Sequence, residues 1–145
     1  SGAYSGYSRQ IHRTFSIGEG PTAEWQKMHD AAIEAFEVLS KVIKDGATTT
    51  EAEEAAEIIH RRGYSTYDDL VHGVNQYPPI FQTKTRKRHE SREMTFRENM
   101  VIVVQPNLMT YDEKMGLQFG ETLVVKKNGC ESLNAYPRQW VTCQG

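Results

Sequence analysis

Between Thr22 and Lys44, apolar side chains return every three or four residues: Trp25, Met28, Ala32, Ala35, Phe36, Leu39 and Ile43. That spacing puts them on one stripe of an α-helix, while Glu24, Lys27, Asp30, Glu34 and Lys41 lie off it. Pro21 and Thr22 supply start chemistry and Gly46 a stop. A helix this long with one apolar stripe needs an apolar layer to rest on, and the rest of the chain offers strands. Ala3 to Ile17 predicts one or two strands joined by a turn, with Ile11, Arg13, Phe15 and Ile17 on one face and His12, Thr14 and Ser16 on the other. Met100 to Val104 is a β-prone run. Leu117 to Lys126 is another strand, and Lys127-Asn128-Gly129 turns it back through Glu131 to Asn134.

A second helix is expected from about Thr50 to Arg62, with Thr50 and Glu53 as a capping box, a small stripe of Ala52, Ala55, Ala56 and Ile59, and Gly63 at its end. Tyr64 to Phe81, with Gly73, Asn75, Pro78 and Pro79, predicts loop with short strand pieces. Together these elements predict one α+β domain over residues 1–145, a curved, mainly antiparallel sheet with two long helices on one face.

With 145 residues, a domain can bury roughly 70% of its unfolded surface. Seventeen Lys and Arg against nineteen Asp and Glu argue against a nucleic-acid binder. No apolar run approaches the roughly 20 residues of a membrane span. The charged segment Lys84 to Arg92 fits a solvated loop or a surface for an acidic partner. Cys130 and Cys143 are the sole cysteines and are expected as reduced thiols of a cytoplasmic protein.

Five segments in series resemble one family. Gly6 to Phe15 resembles the GYxSDxTRTF segment of the creatinase/prolidase/aminopeptidase P/methionine aminopeptidase family, with Gln10 in place of Asp. His72-Gly73-Val74-Asn75-Gln76 is similar to its HGxGH segment, with Gln76 in place of the second His. Val103 to Asn107 is similar to its VEPG segment, with Gln105 in place of Glu. Gly120 to Val125 resembles its EDTVLV strand, and Asn128 to Leu133 its closing DGxExL turn. The resemblance implies the pita-bread fold and covers only that fold's later part, with the first metal-binding Asp expected upstream of Ser1. The chain is therefore expected to be the C-terminal part of a peptidase-like domain, completed by a missing N-terminal half or by a second copy in a homodimer.

Active members of that family hold two divalent ions on two Asp, one His and two Glu, and the ions activate a water. Carried onto this sequence, the ligand positions fall on Gln10, Gln76, Gln105 and Gly120; a one-residue shift would make Glu121 the last ligand instead. Thr83 and Gln118 replace a supporting His and Arg. A neutral amide binds a divalent metal far more weakly than a carboxylate or imidazole, so no metal or other cofactor is expected. The groups left for chemistry are His72, His12 and Glu121. His72 fits a substrate-facing imidazole or one bonded to a neighbouring backbone group, and His12 shares a face with Gln10 if the strand alternates. Tyr67 and Tyr77, with Tyr64 near them in sequence, fit pocket lining or loop packing. Asp68 and Asp69 fit turn chemistry.

These residues imply a metal-free relative of Xaa-Pro dipeptidases and aminopeptidases whose cleft binds a small molecule, a peptide or a partner protein without catalysis. A creatinase-like, metal-independent C–N hydrolase is the alternative, and a prolidase-type metallopeptidase with an altered site the second.

Overall fold

The structure, a computed structural model, describes residues 2–4, 7–74, 77–86 and 92–144, with side chains from residue 9 onward. The chain opens with β1 (Gly2–Tyr4), β2 (Tyr7–Arg9), β3 (Ile11–His12) and β4 (Phe15–Ile17), then α1 (Ala23–Val42), α2 (Thr49–Ala55) and α3 (Ile58–Arg61). Nine strands follow: β5 (Ser65–Thr66), β6 (Val71–Gly73), β7 (Ile80–Phe81), β8 (Val101–Val104), β9 (Leu108–Met109), β10 (Gly116–Leu117), β11 (Gly120–Lys126), β12 (Gly129–Ser132) and β13 (Val141–Cys143).

The main sheet runs β12-β11-β8-β6-β7, antiparallel throughout, and β3 pairs with the start of β11. β11 thus has β8 along one edge, while β3 and then β12 share the other. The turn at Lys127 and Asn128 returns β12 as expected, with Lys126 opposite Gly129. The opening segment is more broken than one or two strands: its four short pieces join three different pairings.

α1 is capped by the Thr22 side chain and buries Met28, Ala32, Ala35, Phe36 and Leu39. These meet Ile102, Val104, Leu123 and Val125 from β8 and β11. Each large apolar side chain so buried contributes about 1.5–3 kcal/mol, and Phe36 meets Phe119 edge to face at 5.4 Å. The second helical region departs from expectation. It starts at Thr48, whose capping box uses Glu51, and it is split into α2 and α3 at Ala56 and Glu57. Thr49 decides the start: its N–H donates to the Met94 carbonyl at 2.9 Å and its hydroxyl accepts from Met94 N. Glu53, the alternative capping partner, is buried instead.

Val71, Val104 and Glu121 lie in register across three strands on the helix side of the sheet. His72, Val103 and Thr122 form the next row, on the opposite side. That second face carries the candidate site. At its edge, a Cβ on Gly73 would meet the carbonyl oxygens of Tyr77 and Pro78 at 2.5 and 2.7 Å, so only glycine allows this loop to close. Among the described residues no helix is long and apolar enough to cross a membrane.

Candidate functional site

β3 and the residue before it deliver two polar side chains to the open face. His12 is opposite Gly120, and Gln10 exchanges hydrogen bonds with Thr122 through its N–H (2.7 Å) and carbonyl (3.0 Å). The expected alternation therefore holds, and Gln10 and His12 share a face. Gln105, at the end of β8, meets them there: Gln10 Nε2 donates to Gln105 Oε1, and Gln105 Nε2 donates to the Asp69 carbonyl at 2.9 Å. Gly120 lies against the same side chain, since an added Cβ would stand 2.7 Å from Gln105 Cβ and 3.0 Å from its Cα. Three of the four positions singled out by sequence are thus brought together, with both amides engaged. The fourth, Gln76, lies outside the described residues.

Glu121 is not part of this group. One residue along β11, its side chain points to the opposite face, where it pairs with Arg13 and with Arg138 at 3.0 Å and accepts from Ser132. The two guanidinium groups stack 4.7 Å over Phe119 and Phe36. Burial alone would raise the Glu121 pKa, but the hydrogen bonds from Arg138, Ser132 and Arg13 outweigh it and hold the carboxyl below its usual range. The one-residue shift that would make Glu121 a cleft ligand is therefore not the geometry of this strand.

His72 is buried on β6, and its Nδ1 bonds the Gly73 carbonyl at 2.7 Å, the backbone bond that was one of its two expected roles. It is close enough to depress the pKa of His12, which burial lowers first. Tyr67 lines a cavity of about 540 Å³ with Arg13, Thr14, Met115 and Gln118, whereas Tyr77 is 69% exposed and Tyr64 belongs to the core. The three tyrosines do not form one cluster. Thr83 is buried and bonds His60 at 2.7 Å. Of the charged segment, Lys84 pairs with Glu54 at 3.2 Å and Arg86 donates to the Thr66 carbonyl at 3.1 Å; residues 87–91 lie outside the described residues.

Sequence reasoning missed Asp68. Its Oδ2 accepts from Asn107 Nδ2 at 2.9 Å and from Gln105 Nε2 at 3.4 Å, which places the carboxylate beside the amide pair. Burial raises its pKa, and the neighbouring Asp69 adds to this, against the Asn107 hydrogen bond. Asn107 itself accepts from Phe119 N at 3.2 Å. The available signal was Asn107 in place of the last residue of the VEPG-like segment, a side chain where that pattern has none.

Residues 1–127 match metallopeptidase family M24. The chain belongs to that family. Among curated relatives, an uncharacterized peptidase of Methanocaldococcus jannaschii is 27% identical over 136 residues, 90% of this chain and 37% of the relative. An ectoine hydrolase of Halomonas elongata is 27% identical over 143 residues, 96% of this chain and 35% of the relative. Among solved structures, the X-Pro aminopeptidase of Thermotoga maritima superposes with a TM-score of 0.71 at 29% identity, over 91% of this chain and 37% of that one. The prolidase of Pyrococcus horikoshii gives 0.73 at 26%, over 92% and 38%. The M24 chain therefore spans little more than a third of the length of these relatives, and it carries the pita-bread fold anticipated from its motifs.

Proposed function

We propose that this M24 chain is a prolidase-like domain whose cleft binds a small molecule or peptide without a metal ion and without peptidase turnover. The observation that carries this reading is the Gln10–Gln105 hydrogen bond packed against Gly120. A metal pair needs anionic or imidazole donors converging on one point. Here two ligand positions hold neutral amides engaged with each other and a third has no side chain. Among the described residues, no group of three or more His, Cys, Asp or Glu is placed to hold a metal ion. The donor set of the described residues does not fit the metal pair.

The His12, His72 and Asp68 neighbourhood favours a second reading, a metal-independent hydrolase using side chains alone. Burial lowers the His12 pKa, and a neutral imidazole is a proton acceptor. Completion of the cleft by an N-terminal half or a second copy, and a cytoplasmic setting in which the free thiols of Cys130 and Cys143 stay reduced, belong to the same proposal.

The test is an Xaa-Pro dipeptide assay with and without added manganese. No cleavage is expected in either. Manganese-dependent turnover that vanishes in Gln76→Ala would sink the binding-domain reading, and metal-independent turnover lost in His12→Thr would favour the hydrolase.

A further inference from the structure

Two buried acceptor atoms on the cleft face take no hydrogen bond from the protein: Asp68 Oδ1 and His12 Nδ1. They belong to one small cluster. Asn107 donates from Nδ2 to Asp68 Oδ2 at 2.9 Å, and Gln105, which also reaches that carboxylate at 3.4 Å, packs against Gly120 opposite His12, so the two groups lie on one face. A neutral imidazole presents one of its two ring nitrogens as an acceptor. A buried carboxylate oxygen without a donor is costly in a finished core. On the same face lie Gln10, Gln105, Gly120, Val103 and Thr122, none of which carries a charge. Asp68 is thus an anionic group facing a neutral wall, and the Glu121 carboxylate is committed to two arginines on the far side of the strand.

Asp69 does not relieve this, because its interaction with Asp68 is repulsive. The nearest imidazole, His72, gives Nδ1 to the Gly73 carbonyl. Donors are therefore what the cluster lacks, and a group with several N–H bonds and a positive charge meets both acceptors at once.

We infer that Asp68 and His12, on the cleft face with Asn107 and Gln105, form a subsite for the protonated nitrogen of the ligand, an ammonium or amidinium group. This rests on the metal-free reading of the cleft. His12 and Asn107 stand where the family motifs have Thr and Gly, so the subsite is built from this chain's own departures.

The test uses matched probes on the purified protein, with metal content measured on the same sample. Benzylammonium and benzamidinium are titrated against benzyl alcohol and benzamide, following amide and histidine-ring resonances by NMR. The cations are expected to bind at least about tenfold more tightly than their neutral counterparts, with the largest shifts at His12, Asn107 and Asp68. Asp68→Asn should abolish that preference, and His12→Thr should weaken cation binding while leaving the fold intact. Equal binding of neutral and charged probes, no binding of either cation, or an unchanged preference in both variants would overturn the subsite. A metal pair found in the sample overturns the metal-free reading instead, so the two failures are told apart.

Discussion

Gly120 and Glu121 are neighbours on one strand, yet the two faces they serve are opposites. On the helix side, Glu121 is clasped by Arg13, Arg138 and Ser132 over two aromatic rings. On the open side, Gly120, Gln10 and Gln105 make a packed, uncharged patch with Asp68 at its rim. Strand alternation keeps the two environments apart with no intervening residue. The lesson is that in this M24 chain charge ties strands together on one face of β11, while the other face presents amides and a glycine.

The contrast predicts unequal responses to mutation. Glu121→Gln should cost most, about 3–5 kcal/mol, because it leaves buried Arg13 without its counter-ion; urea unfolding measures it. The same carboxyl predicts acid sensitivity. Its folded-state pKa is depressed below the usual 4.5, so its stabilisation is complete above that pH and is lost as pH falls through the folded value. A pH series of unfolding curves should show this loss in the wild type and not in Glu121→Gln.

Across the strand, Gly120→Ala should cost about 1–3 kcal/mol by overpacking against Gln105. If it is neutral instead, the cleft is looser than the amide contact implies. Smallest of all is Asp68→Asn. Burial raises the Asp68 pKa, so its ionised form costs stability once pH rises above the usual 3.8. The variant should be as stable as the wild type at neutral pH or more stable by up to about 1 kcal/mol, with the gain vanishing in acid. A loss of several kcal/mol would make Asp68 a structural group rather than a binding one.

Much of this was legible in the sequence. The α1 stripe and the Asn-Gly turn are local patterns, and local patterns survive folding. The shared face of Gln10 and His12 followed from period two. The start of α2 was not legible, because Thr48 with Glu51 and Thr50 with Glu53 have the same spacing, and only the contact between Thr49 and Met94 chooses between them. The fate of Glu121 was hidden for a related reason: Arg13 lies 108 residues away in sequence. Asp68 read as turn chemistry, since nothing nearby in the chain announces Asn107 or Gln105 as its partners.

The central claim is that the ligand positions no longer hold a metal pair. Elemental analysis of protein purified without chelator tests it most directly. The account predicts no stoichiometric manganese, cobalt or zinc; two equivalents per chain would contradict it.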